Sequence, residues 1–317
     1  MSHVLNDFSP TPLVFGGASI SGEGGGYGFG DIAENSAIDL LLYSYDQGVR
    51  IFDTAPIYGF GESERRMGKA FKAMREKVFI ISKSGVTWNE SKRVDMTNDP
   101  VTARKMLEQS LRDLQSDYID LYMIHWPDSK VDIRKAMDVL AKAQLEGKIK
   151  YIGLCNTYPE DFEKAQQVAT IKVIQNQLNF FERESFQCMQ PLILQHQLSF
   201  MSWGTLDKGI LSGRVQENRR YDKSDARSWA PWWKNSNYKQ KIQVMKELQP
   251  VLDHLGVTGL QLALSYNLAQ NGASNLICGA RTNEQLSGVL KALSNPLSES
   301  QLRIIEEKFE MLKWLLN

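Results

Sequence analysis

Four polar residues fall where apolar runs give out. Asp53 closes "VRIFD" and Tyr58 follows in "TAPIYGFGE"; Lys83 lies at the end of "KVFIISKS" and His125 at the end of "YIDLYMIH". Each has an ordinary reading by itself. Asp53 can cap a turn, Tyr58 can be a half-buried packing residue, Lys83 can be solvated and His125 can be a satisfied core histidine. As a group they have the parts for proton transfer. Free tyrosine has a pKa of about 10, and a neighbouring ammonium favours the phenolate, drawing that value toward the working pH. A lysine and an aspartate at the ends of adjoining strands can pair and set such an ammonium beside the phenol. The glycines around Tyr58 let backbone and substrate come close to its hydroxyl.

Chemistry of this kind needs strands that end side by side. Near-continuous apolar runs alternate with stretches of helical period: "PLVFGGA" precedes "AENSAIDLLLYSYDQG", "VRIFDTA" precedes "SERRMGKAFKAMR", and "KVFIISKS" precedes "TARKMLEQSLRDLQ". "YIDLYMIHW", "IKYIGLCN", "IKVIQNQL", "LSFMSWGTL" and "SNLICGA" continue the pattern, each with a helical stretch behind it. These eight strand-then-helix units predict an α/β fold, a single (β/α)8 TIM barrel spanning residues 1–317, with a long loop after the seventh strand and a closing C-terminal helix. The rival is an open doubly wound sheet, but the turn after the first strand lacks its Gly-x-Gly-x-x-Gly fingerprint. In a barrel the ends of the strands, where the four residues lie, are where active sites form.

The chain has 317 residues, 42% hydrophobic and 23% charged, enough for a substantial core. Lys plus Arg equals Asp plus Glu at 37 each, so no overall positive field favours nucleic acid or an anionic membrane. The first residues lack the pattern of a secretory signal, and no apolar run has the length of a membrane span, which points to the cytoplasm. Three scattered cysteines argue against a disulfide framework, and four histidines without close His/Cys spacing give no basis for a metal site.

The segments "FDTAPIYGFGESE", "ISKSG", "IHWPD", "IKYIGLCN" and "SWGTLDKGILSG", in that order, resemble the aldo-keto reductase superfamily over nearly the whole chain. The resemblance implies a single barrel that binds a nicotinamide dinucleotide, NADP(H) in preference to NAD(H), without metal. It implies Asp53, Tyr58, Lys83 and His125 as the catalytic tetrad, with Tyr58 as general acid, Lys83 lowering its pKa and His125 positioning the carbonyl. Asn156 and Gln175 look like the pair that holds the carboxamide, with Gln177 as the alternative one strand repeat further on. Cys155 stands where many members have Ser and reads as a small buried apolar residue. Trp203 stands where the family stacks an aromatic ring on the nicotinamide. Gly204, Leu206, Lys208, Gly209 and Leu211 resemble the segment that wraps the pyrophosphate. Gly279, Ala280, Arg281, Thr282 and Gln285 resemble the stretch that holds the 2'-phosphate, whereas Gly288 and Val289 depart from the usual adenine contacts.

Substrate contacts are expected from the glycine-rich loop after the first strand, through Tyr27 and Phe29, from Trp126, and from the loop 214–238, through Trp229, Trp232 and Trp233. The partner is expected to be a small carbonyl compound or a sugar. Two alternatives to carbonyl reduction remain open: an NAD(P)-dependent aldose dehydrogenase, suggested by "FGGASISG" and "YGFGESERRMG", and a cofactor-sensing regulatory subunit.

Overall fold

The computed structural model describes residues 4–22 and 26–316. Its elements run β1 (Leu13–Gly16), α1 (Glu34–Asp46), β2 (Ile51–Asp53), α2 (Glu62–Phe71), β3 (Phe79–Ser84), β4 (Val86–Trp88), β5 (Val94–Met96), α3 (Pro100–Asp113), β6 (Ile119–Ile124), α4 (Ile133–Leu145) and β7 (Ile149–Cys155). They continue with α5 (Pro159–Gln166), β8 (Ile171–Gln177), α6 (Glu184–Gln195), β9 (Ser199–Trp203), α7 (Pro231–Lys234), α8 (Tyr238–His254), α9 (Gly259–Leu268), β10 (Asn275–Cys278), α10 (Asn283–Leu293) and α11 (Glu299–Leu312). Eight strands close into a parallel barrel in the order β1-β10-β9-β8-β7-β6-β3-β2. β4 and β5 form a separate antiparallel hairpin.

The alternation of side chains along each strand divides the core in two. Val14, Ile51, Phe79, Ile81, Leu121, Met123, Val173 and Met201 fill the barrel interior, and Leu5 joins them from the N-terminal segment. Their neighbours Phe15, Phe52, Ile80, Tyr122, Ile152, Ile174 and Phe200 face the surrounding helices. Phe8 packs edge-on to Phe79 at 5.3 Å, so the N-terminal segment seals one end of the interior.

The same period of two places the polar residues. Asp53, Lys83 and His125 lie two residues beyond the interior residues Ile51, Ile81 and Met123, and Gln175 and Trp203 lie two beyond Val173 and Met201. Side chains that would be barrel core one repeat earlier therefore emerge as a ring at the mouth.

The eight strands stand where their apolar runs predict. Three features do not follow from those runs: the β4–β5 hairpin, the short α7 inside the long loop, and the end of α2, which passes at Phe71 into a 3-10 stretch, Lys72–Lys77. Among the described residues no helix is long and apolar enough to cross a membrane.

Candidate active site

Lys83 is fully buried, and its ammonium donates to Asp53 Oδ1 at 2.8 Å, Asp53 Oδ2 at 2.7 Å and the carbonyl of Thr54 at 2.9 Å. Adjoining strands make this possible, because β2 pairs directly with β3. Burial works against the lysine's charge, but Asp53, together with Tyr58 and Cys155, outweighs it and the pKa moves upward. The ammonium lies 5.4 Å from the centre of the Tyr58 ring. The His125 ring stands edge-on to the same phenol at 5.9 Å.

Tyr58 differs from the sequence expectation in one respect. Its pKa is raised above the usual tyrosine value, because burial outweighs the pull of Lys83, and Asp53 adds to the upward shift. The phenol therefore keeps its proton. Burial, helped by the charge of Lys83, holds the His125 imidazole well below the usual histidine range, so it is neutral. The site thus combines a protonated phenol, a neutral imidazole and a buried ion pair.

The turn that carries Tyr58 is shaped by close backbone approach. Gly59 has φ +63°, and a Cβ there would come within 2.7 Å of the Ser21 carbonyl. Its N–H donates to the carbonyl of Gly26 at 2.9 Å. The glycines thus let the loops after β1 and β2 lie against each other beside the phenol.

A chain of hydrogen bonds connects the rest of the mouth to the ion pair. Trp203 Nε1 donates to Asn156 Oδ1 at 2.9 Å, and Asn156 Nδ2 donates to the His125 carbonyl at 2.9 Å and to Cys155 Sγ at 3.2 Å. Cys155 Sγ donates to Gln175 Oε1 at 3.1 Å, and Gln175 Nε2 donates to Asp53 Oδ2 at 2.8 Å. Cys155 is therefore not a mere apolar filler, as its thiol is bonded on both sides. Gln175 is buried against Asp53, whereas Gln177, at the end of β8, reaches Gly204 on the loop that leaves β9.

The model of the Aldo/keto reductase family matches residues 12–310. The chain belongs to this family. It is 32% identical to the aldo-keto reductase YhdN of Bacillus subtilis over 268 residues, 84% of this chain and 81% of the relative. It is 29% identical to the NADH-specific methylglyoxal reductase of Escherichia coli, covering 90% of each chain. Its structure resembles the glycerol dehydrogenase of Gluconobacter oxydans with a TM-score of 0.82 and 28% identity, covering 95% of this chain and 92% of that one.

Aldo/keto reductases use nicotinamide cofactors, and the segments expected to hold one here follow β9, which ends at Trp203, and precede α10. The segment after Trp203 turns tightly, with Gly204, Asp207, Lys208 and Gly209 all at positive φ. Lys208 pairs with Asp207 at 3.0 Å, and Lys241 bridges Asp207 at 3.0 Å and Glu182 at 2.5 Å. Leu206 is half-buried against the core, and Leu211 is wholly buried within it, so only its backbone can face a bound group. Ser19 donates to the Ala280 carbonyl at 2.8 Å and leaves no space for a Cβ at Gly279.

Arg281 is already engaged. Its guanidinium donates to the Phe29 carbonyl at 2.7 Å and to the Asp31 carbonyl, while its backbone N–H donates to Gln285 Oε1 at 2.9 Å. Thr282 caps α10. Arg281 Nε is buried without a partner, a donor well suited to an anion at the start of α10. These residues therefore fit the phosphate end of a dinucleotide, although two of the arginine's donors are committed to backbone.

The loops after β1 and β9 are woven together. Phe29 and Asp225 form a β-bridge, Gly30 N–H donates to the Ser224 carbonyl at 3.1 Å, and Ala226 N–H donates to the Gly28 carbonyl at 2.9 Å. Arg227 packs over the Phe29 ring at 5.2 Å and donates to the Lys208 carbonyl at 2.8 Å. This strap, unforeseen in the sequence, ties the first loop to the segment resembling the pyrophosphate site.

Of the aromatic residues expected at the substrate, Tyr27 stacks with Trp232 at 6.5 Å, and Trp126 joins Tyr27, Tyr58 and Phe60 around Ala55, Ile57 and Val86. Trp88 of the hairpin packs on Phe60 at 5.2 Å and was missed, because nothing in the spacing around Trp88 announces a hairpin. Trp229 is exposed. Trp233 is core, stacked on Tyr238 at 4.7 Å, which corrects its placement as a pocket wall. Among the described residues no cluster of His, Cys, Asp and Glu could hold a metal ion.

Proposed function

We propose that this aldo/keto reductase reduces an aldehyde or ketone to the alcohol with NADP(H), and that Tyr58 gives the proton. The observation that carries this reading is a phenol kept protonated by burial, beside a neutral His125 and above the buried Lys83–Asp53 pair. When bound, the nicotinamide supplies a hydride to the carbonyl carbon. Tyr58 passes its proton to the carbonyl oxygen. Lys83, held by Asp53, offsets the negative charge left on the phenol, and a neutral His125 can donate a hydrogen bond to the same oxygen. Tyr27, Trp126 and Trp232 form an aromatic wall that favours small, weakly polar carbonyl compounds.

For the cofactor, Trp203, Asn156 and Gln175 would hold the nicotinamide, Gly204, Leu206, Lys208 and Gly209 the pyrophosphate, and Arg281, Thr282 and Gln285 the 2'-phosphate. The relative from Escherichia coli is named as NADH-specific. Because two of Arg281's guanidinium nitrogens are spent on the Phe29 and Asp31 carbonyls, the preference for NADPH is modest. A second reading, oxidation of a polyol or aldose, draws on the likeness to a glycerol dehydrogenase. That direction requires the phenolate, which burial opposes.

Tyr58→Phe tests the assignment. General acid catalysis contributes roughly 10²- to 10⁴-fold, so kcat for a carbonyl panel should fall by about that much while dinucleotide Kd stays unchanged. Retention of more than about a third of kcat rejects Tyr58 as the proton donor. Steady multiple turnover of the wild type separates an enzyme from a regulatory subunit.

A further inference from the structure

Behind Lys83, on the opposite face of β3, lies a buried carboxyl that the proposed chemistry does not use. Glu64, in the first turn of α2, has no exposed surface. Its Oε1 accepts the Ser82 hydroxyl at 2.6 Å, and its Oε2 makes no hydrogen bond. Ser82 is the strand neighbour of Lys83. Around the carboxyl stand Ser110 of α3, whose hydroxyl lies toward both the carboxyl and the Tyr122 phenol, and Tyr122 of β6, which Ser84 of β3 also approaches. α2 comes this close because Gly68, one turn later, has no side chain: a Cβ there would lie 2.5 Å from the Asp113 carbonyl.

Among the described residues no cation pairs with Glu64. On α2, Arg65 turns to Glu62 and Asp113, Arg66 turns to Glu62 and the Ile20 carbonyl, and Lys69 pairs with Glu34 of α1. From α3 the charged group facing it is Asp113, of like sign; from β3 it is Lys83; from β6 it is the phenol of Tyr122. A buried carboxylate served only by serine hydroxyls, with no ion-pair partner, is poorly stabilised. The N-terminal position on α2 favours the anion, but only as a surface-scale effect.

We propose that Glu64 is a positioning residue of the candidate active site, which holds β3 through Ser82 and whose ionisation sets how strongly Lys83 supports the Tyr58 phenol. The proposal rests on the tetrad reading given above. Burial raises the Glu64 carboxyl to about 7, with Asp113 adding to the shift and Ser82, Ser110 and Lys83 opposing it. Tyr58 is raised and His125 is lowered well below its usual range, so neither titrates near neutrality. As the pH rises through about 7, Glu64 loses its proton to solvent and places a second anion near Lys83. The ammonium then offsets less of the charge left on the phenol, and carbonyl reduction slows.

The test uses the full-length protein with a reactive aldehyde and follows kcat against pH. Wild type should show a decline through about 7, of about two- to thirtyfold, the size of couplings carried through packed side-chain networks. Glu64→Gln, neutral at every pH, should remain on the acid plateau and show no such decline. Ser82→Ala removes a donor to the carboxylate, so it should move the decline to higher pH. In parallel, the infrared carbonyl band of an un-ionised carboxylic acid should vanish over the same range in wild type and be absent from Glu64→Gln. A decline that survives in Glu64→Gln overturns the proposal, as does a wild-type spectrum without the acid band below neutrality. The band does not depend on turnover, so it reads Glu64 even if Tyr58→Phe proves fully active and the tetrad reading falls.

Discussion

Tyr58 carries opposite demands in the two directions of reaction. Reduction needs the protonated phenol, which is the form that burial favours; oxidation of an alcohol needs the phenolate. With the pKa raised, the phenolate fraction grows about tenfold for each unit of pH below that value. Alcohol oxidation should therefore rise steeply into the alkaline range, while reduction shows no loss attributable to Tyr58 there. Parallel pH profiles with one alcohol–carbonyl pair measure this, and an oxidation rate that levels off below the usual tyrosine pKa would show that Lys83 wins over burial. Arg281 invites a similar comparison. A hydrogen bond to a charged group contributes about 1.5–3 kcal/mol, and each carbonyl bond given up costs about 0.5–1.5 kcal/mol. With one such bond given up the net is about 1 kcal/mol, so NADPH should be preferred by less than about tenfold. Arg281→Ala should weaken NADPH more than NADH; equal changes in the two Kd values would remove Arg281 from phosphate recognition.

At the scale of elements, Arg227 anchors the strap between the first and seventh loops: it packs over Phe29 of the first loop, and within its own loop it packs over Tyr221, pairs with Asp225 and donates to the Lys208 carbonyl. Arg227→Ala should shift the strap toward an open form by about 1.5 kcal/mol, roughly tenfold, seen as faster proteolysis within residues 214–238 and faster dinucleotide release. Unchanged cleavage and release would mean that the backbone bridge alone holds the strap. The barrel strands were legible in sequence because their apolar runs are long and regular, and because the residues that end them inherit the interior register. The strap and the β4–β5 hairpin were not, since their strands are a residue or three long and carry no period. The state of Tyr58 was also hidden: its lysine neighbour is visible in the sequence, whereas the depth of burial that outweighs it is a property of the packed loops. Trp203 shows both sides. Its place at a strand end could be read, but the hydrogen bond that fixes its plane to Asn156 could not.

For the molecule as a whole, the closed barrel needs something at its floor, and the N-terminal segment provides it. Leu5 is fully buried among the interior residues, although it precedes the first strand by eight positions. Leu5→Ala should cost about 2–5 kcal/mol of stability, as for other buried leucines, with little change in kcat below the unfolding range. Denaturant unfolding followed by far-UV circular dichroism measures it, and a loss under about 1 kcal/mol would show that the floor is sealed by Phe8 instead.

Closure of the barrel has a further consequence for how the protein associates with other chains. Each of its eight strands is hydrogen-bonded on both sides, so the ring presents no row of free N–H and C=O groups. The β4–β5 hairpin is different, being two strands with open flanks, and it carries the exposed side chains of Trp88 and Met96. Any addition of a foreign strand to the native protein is thereby directed to the rim beside Phe60.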